Sequence, residues 1–480
     1  MSRQQTMFFY DYETWGVSPS RDRACQFAGI RTDLEFNVLG EPLVIYCQPP
    51  DDYFPSAGAA LVTRIKPQTC VEQGLREVDF IKAIHSEMSV PGTVTLGYNT
   101  INFDDEVTRH TSYRNFLDPY SWAWKNGNSR WDLLNVMRAC GVLRPDGLEW
   151  PLNSDGKRSY KLEHLSVANG IEHINAHDAE SDVYASIELG KKLSLAQPKM
   201  FSYLFKNRNK KELSALVSIH PPKPLVHIES VYGGDNKYLS IILPVAHHPT
   251  NKNSILAIDL GRDVGPLMDL DADSLRERLY TRRSELAEGE LPAPLIEVQL
   301  NKCPILAPMG VLTADDVKRI DIDMEGIGKR QRVVTASLDG VRAKVIEVYS
   351  KPKEYDPITD VDLMLYEGFF SNSDRKLMDV IPDLNGQEVG EYEPGFTDER
   401  IPELKFRFKA RNYPESLTED ERERWAKHCK DALNEKRIEH FEELDRLTEE
   451  NKDDPEKLDI INAVRQYSEG LVLKWCIGQD

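Results

Sequence analysis

Met7-Phe8-Phe9-Tyr10-Asp11-Tyr12-Glu13-Thr14 is an apolar run that ends by placing two carboxylates two positions apart. A β-strand alternates its side chains with a period of two, so a strand over residues 7–12 turns Asp11 and Glu13 to one face. Like charges on one face repel and raise each other's pKa. The arrangement becomes favourable when a divalent cation sits between them. A strand running out into solvent produces the same pattern, so the pair needs further carboxylates from elsewhere in the chain.

Two stretches supply them. An apolar strand at 93–98 leads into Asn99-Thr-Ile-Asn-Phe103-Asp104-Asp105-Glu106 and then a helical pattern. A carboxylate just past a strand end, at a helix N-terminus, can reach a cleft. Helix capping by Asp104 or Asp105 accounts for the same residues. The second stretch is His177-Asp178-Ala179-Glu180-Ser181-Asp182, ahead of an apolar helix. It puts His177 in the approach loop and Asp182 in the first turns, where an N-cap and a surface histidine are the plain alternative.

The chain of 480 residues has room for about three domains. Its net charge of −19 argues against a protein that coats nucleic acid unspecifically, though not against a local basic groove. There is no apolar run of about 18 residues and no apolar N-terminal leader, so neither a membrane span nor a signal peptide is expected. Seven cysteines are scattered at 25, 47, 70, 140, 303, 429 and 476 with no C-x-x-C, which points to reduced thiols in a cytoplasm.

Strand patterns at 7–12, 41–47 and 93–98 alternate with helical patterns at 77–88 and 181–195, giving an α/β layer over residues 1–198. A basic stretch follows at 200–211. Short apolar runs at 224–228, 238–245, 255–260, 295–300 and 332–338, with one helical insert near 272–287, predict a small β domain over 199–350. From 351 to 480 the pattern is helical. Thr418 and Glu421 form a capping box, and helical spacing follows at 436–450 and 457–475, too short for a coiled coil.

In order and spacing, Asp11-x-Glu13, Asn99-x-x-x-Phe103-Asp104 and His177-x-x-x-x-Asp182 resemble the DEDDh family of 3′→5′ exonucleases. The likeness extends along the chain. Tyr98-Asn99, the run from Phe103 to Arg109, Tyr113-Arg-Asn-Phe116, Asp118-Pro-Tyr120, Ser129-Arg-Trp-Asp132, Leu162-Glu-His164, Ala168-Asn-Gly-Ile171 and Tyr366-Glu-Gly-Phe-Phe370 are similar to bacterial exonuclease I. That resemblance implies an α/β exonuclease (RNase H-like) domain, an SH3-like β domain and an all-α C-terminal domain. It implies a processive 3′→5′ exonuclease that degrades single-stranded DNA to 5′-mononucleotides in DNA repair and recombination. An RNA-directed member of the superfamily and a non-catalytic single-strand-binding protein are the alternatives. Two extra domains argue against the first and the intact acidic set against the second.

The implied chemistry uses two Mg²⁺ ions, with Mn²⁺ as a substitute, about 3.5–4 Å apart. Asp11 bridges them, Glu13 and Asp182 complete the first site, and Asp104 holds the second. His177 takes the proton of the attacking water, its unperturbed pKa of about 6.5 suiting a base near neutrality. Asp178 and Glu180 fall outside the family motif.

Between the second and third motifs, aromatic and basic residues interleave, as a track that stacks bases and follows phosphates requires. Arg109, Tyr120, Trp124 and Arg138 are the expected strand contacts, with Phe116 and Trp131 in the core. Glu13 and Lys161 complete the substrate set. Lys161 stands where the family has a basic contact, and a lysine makes no bidentate fork. Lys405, Arg407, Lys409 and Arg411 are expected to form a far wall for the strand, with amphipathic packing of Phe406 and Phe408 as the alternative. The resemblance also implies a monomer that docks the acidic tail of the single-stranded-DNA-binding protein. Arg144, Tyr203, Lys206 and Lys223 are the candidates for that surface.

Overall fold

The computed structural model describes residues 5–172, 178–234, 237–351 and 356–478. They fall into two compact units. The first comprises residues 1–129, 172–187 and 357–480, and the second residues 130–171 and 188–356.

In the first unit, β1 (Thr6–Thr14) is the middle strand of a five-stranded sheet. It pairs antiparallel with β2 (Ala24–Thr32), which pairs with β3 (Leu43–Tyr46), and parallel with β4 (Thr93–Leu96); β5 (Ser129–Arg130) lies beyond β4. The period of two is carried through. Phe8, Tyr10 and Tyr12 form one core with Phe27 and with Phe80, Ile81, Ile84 and Met88 of the helix Glu77–Met88. Asp11 and Glu13 alternate with them and therefore belong to the opposite face.

The sequence pattern misses β2. Its nine residues are almost wholly buried, so no polar alternation marks it. The strand expected at 41–47 shortens to Leu43–Tyr46.

The C-terminal segment is part of this first unit. The capping box at Thr418 and Glu421 is formed by both hydrogen bonds, and it opens one helix of 32 residues, Glu419–Glu450, followed by Pro455–Lys474. Leu444, Leu447, Ile461 and Val464 from these helices share a core with Trp15, Cys25, Ala57 and Ala60. The 32-residue helix is longer than the spacing predicts.

The second unit carries an antiparallel sheet of β6 (Leu225–Ile228), β7 (Leu239–His247), β8 (Ser254–Asp259), β9 (Leu295–Gln299) and β10 (Ile305–Pro308), in the order β10-β6-β7-β8-β9. Its core includes Leu225, Ile242, Ile255, Val298 and Leu306. Four of the five expected strands are present. The fifth, at 332–338, is instead the end of the helix Met324–Ala336 and the start of Leu338–Ser350. Ile327 and Val334 are the buried residues of the first of these, seven positions apart, which is a helical repeat rather than a strand alternation. β10 takes the vacant place in the sheet.

Candidate active site

β1 outruns its parallel neighbour. β4 pairs only with Thr6–Phe9, so the edge of β1 beyond Phe9 has no strand beside it on that side. The chain leaves β4 through Gly97, where a Cβ would come within 2.4 Å of the Tyr10 carbonyl oxygen. It turns at Asn99, φ 68°, and enters the helix Asp104–Arg114. That route brings the Asp104 carboxylate 3.1 Å from the Tyr12 amide, where it accepts the hydrogen bond a continuing strand would have taken. Thr108, one turn on, donates to the Tyr12 hydroxyl at 3.0 Å. Asp105 instead accepts from the Tyr10 hydroxyl. The adjacent aspartates are therefore held differently, and neither is the N-cap.

The third carboxylate arrives on the helix Ala179–Ala196, whose first turn contains Asp182. Carboxylate oxygens of Asp11, Glu13 and Asp182 lie within 4.8 Å of one another. Burial raises Asp11 well above the ordinary carboxylate range, and Asp104, Glu13 and Asp182 raise it further. Burial, then the charges of Asp182 and Asp104, push Glu13 up to about 9. Such a cluster of hard oxygen donors that resist ionising together suits a hard divalent cation, whose charge would favour the ionised forms.

His177 lies outside the described residues. Asp178 does not join the cluster; its carboxylate accepts from Gln26 at 3.4 Å.

Arg109, eight per cent exposed, is ion-paired to Glu106 at 2.6 Å, and its guanidinium lies 5.6 Å from the centre of the Tyr120 ring. Tyr120 is half-buried and Trp124 two-thirds exposed. Both line an apolar cleft of about 410 Å³ with Tyr113, Phe369, Phe370 and Arg375. Phe369 is 78% exposed and meets Tyr120 edge-on at 6.2 Å. Tyr366 donates to Glu106. Sequence reasoning did not assign Phe369 or Tyr366 as contacts. The signal for them is the run Tyr366-Glu-Gly-Phe-Phe370, three aromatics about a glycine at φ 121°. Phe116 and Trp131 are buried, as expected.

Arg138 and Lys161 belong to the second unit. Arg138 bonds Asn135 at 2.9 Å and lies over the Tyr238 ring. Lys161 is exposed and 3.3 Å from Glu163. Also in this unit, Arg144 is paired to Asp316, the Tyr203 hydroxyl donates to the Leu306 carbonyl, and Lys206 and Lys223 are exposed. Asp316 is shared with Arg319, on the rim of a basin of about 440 Å³ that Lys157, Arg158 and Lys237 also line.

The far wall expected of the C-terminal segment is corrected by its burial. Lys405 pairs with Glu393, Arg407 with Asp360 and Glu403, Lys409 with Glu421, and Arg411 with Asp52 and Asp362. Phe406 and Phe408 are in the core. The helix Arg400–Asn412 packs inward, and its cations are matched within the protein.

Residues 8–189 match the family described as "Exonuclease", residues 208–351 the "Exonuclease I SH3-like domain" and residues 359–471 the "Exonuclease I C-terminal domain". Exodeoxyribonuclease I of Escherichia coli is 44% identical over 98% of this chain and 99% of its own. That of Haemophilus influenzae is 43% identical over 97% and 99%. The crystal structure of E. coli exonuclease I with a dA16 oligonucleotide superposes with a TM-score of 0.95 at 44% identity, covering 98% of this chain and 100% of that one. The zinc-bound form of the E. coli enzyme with single-stranded DNA gives a TM-score of 0.94 at 44% identity over the same shares. The complex of SSB and exonuclease I with an inhibitor gives 0.91 at 42% identity, again over 98% and 100%.

Proposed function

This chain belongs to the exodeoxyribonuclease I family, and from that premise we propose that it is a 3′→5′ exonuclease degrading single-stranded DNA to 5′-mononucleotides by metal-dependent hydrolysis. The observation that carries the reading is the convergence of Asp11, Glu13 and Asp182, with Asp104 anchored to the same strand. The cations are two Mg²⁺ ions, with Mn²⁺ as a substitute. Asp11, Glu13 and Asp182 would hold one cation, and Asp104 together with Asp11 would hold the other. The chemistry such cations would supply is activation of a water and neutralisation of the charge growing on the phosphoryl oxygens.

The chain's own groups do the rest. His177 accepts the proton of the attacking water. Glu13 also faces the terminal nucleotide. Arg109, fixed by Glu106, and the aromatic cleft of Tyr120 and Trp124 hold the strand behind its 3′ end. Arg138 and Lys161 are further contacts to the strand. Stacking on exposed aromatics does not depend on base identity, which suits an enzyme that must pass every sequence.

The segment boundaries of this reading are 198/199 and 350/351, which the matched stretches support. The enzyme acts as a cytoplasmic monomer in DNA repair and recombination. Its protein partner is the single-stranded-DNA-binding protein, whose acidic tail docks on the face carrying Arg144, Tyr203, Lys206 and Lys223. The cationic basin beside Arg144 supports that assignment. Among the described residues, no helix is long and apolar enough to cross a membrane.

The test is degradation of a 5′-labelled single strand with Mg²⁺, then with EDTA, beside an RNA strand of the same sequence. Stepwise shortening from the 3′ end of DNA, stopped by EDTA, is expected. Binding without cleavage would make the chain a single-strand-binding protein, and preference for RNA would make it an exoribonuclease.

A further inference from the structure

We infer that Gln26 is a positioning residue that sets the place of the third metal ligand. The inference rests on the metal-dependent reading above. Gln26 lies on β2 directly across the ladder from Glu13 and is three per cent exposed. Its amide is used from both ends. The oxygen accepts the Ala179 backbone N–H at 3.3 Å, and the nitrogen donates to the Asp178 carboxylate at 3.4 Å. Those two residues are the start of the helix carrying Asp182. The Asp182 N–H in turn donates to the Asp178 carbonyl at 3.0 Å, closing the first turn.

The consequence is geometric. Asp11 and Glu13 are fixed by strand pairing, whereas Asp182 comes from a segment more than 160 residues away in sequence. Nothing in the pairing of β1 fixes how far that helix stands from the sheet. Gln26 does so, because its neutral amide offers a donor and an acceptor on separate atoms, one for Asp178 and one for Ala179. A carboxylate in its place would accept from Ala179 but repel Asp178 and add charge to the cluster. The residue before the helix thus answers to the same strand pair that carries Glu13. Groups behind metal ligands typically govern metal affinity by about 10–100-fold.

The full-length chain, metal-free, is titrated with Mn²⁺ and followed by electron paramagnetic resonance, for wild type, Gln26→Met and Gln26→Asn. Methionine keeps the volume without hydrogen bonds, and asparagine keeps the polarity but cannot span both partners. Hydrogen exchange is measured on the same metal-free samples. Each folded variant is expected to bind Mn²⁺ about tenfold more weakly or worse. Exchange should quicken at residues 179–183 and stay unchanged along β1. Mn²⁺ affinity within twofold of wild type, or exchange that rises equally in β1, would overturn the assignment. A wild-type chain that binds no Mn²⁺ would instead sink the metal-dependent reading, while the exchange data would still report on the clamp.

Discussion

The Arg411 guanidinium lies 2.7 Å from the Asp52 carboxylate, both side chains four per cent exposed, and reaches Asp362 with the same nitrogen. Burial alone would raise Asp52, but Arg411 overrides it and holds the carboxyl well below its usual range. Arg23 and Arg407 also approach Asp362, at 3.7 and 3.1 Å. Arg411→Ala would leave buried carboxylates without their main partner, a loss of roughly 3–5 kcal/mol by the usual worth of such pairs. Urea unfolding should show it, while the salt dependence of strand binding stays as in wild type. A variant of normal stability whose salt slope falls by about one unit would return this residue to the DNA surface.

Asp11→Asn and Asp182→Asn should each abolish turnover and leave single-strand binding largely intact, because the strand contacts proposed above are other groups. Single-turnover cleavage and fluorescence anisotropy on one labelled strand separate the two. More than a few per cent of wild-type turnover in both variants would remove them from the metal site.

The metal-free cluster should be sensitive to base. Glu13, pushed up to about 9, holds its proton in the folded chain where the unfolded chain has lost it. The folded state then binds more protons, so stability is fully present below the ordinary carboxylate pKa and is lost as pH rises toward 9. In EDTA the melting temperature should fall from pH 5 to pH 9 more steeply than with Mg²⁺. The cation's own stabilisation should grow over the same range, since it competes with protons for these oxygens. Equal stabilisation by Mg²⁺ at pH 5 and pH 8 would contradict the arrangement.

Trp124→Ala and Phe369→Ala should each weaken binding of a long single strand by about 1–3 kcal/mol, the worth of one stacked base, with little dependence on sequence. Folding should not suffer, because both rings are mostly exposed. Unchanged affinity in the double variant would remove the cleft from the strand's path.

What could be read beforehand divides by the range of the interaction. The alternation in Phe8-Phe9-Tyr10-Asp11-Tyr12-Glu13 is local, and it gave both the strand and the shared face. The helix Glu77–Met88 was legible for the same reason. β2 was not, since a strand buried on both faces carries no alternation, and with it went Gln26. The run from Lys405 to Arg411 misled because its positive charge is visible in sequence and its partners are not. Asp52 is 359 positions from Arg411. Exposed and matched cations have the same letters.

The catalytic sheet shares its core with the last two helices of the chain, through Trp15 and Cys25 against Leu444, Leu447, Ile461 and Val464. Contacts of such sequence separation form late, because a long loop must close before they repay its entropy. On the ribosome, β1 and its carboxylates emerge more than 400 residues ahead of the helices that complete the core around Trp15 and Cys25. A chain stopped before these helices would carry the acidic motif without the side chains that cover Trp15 and Cys25.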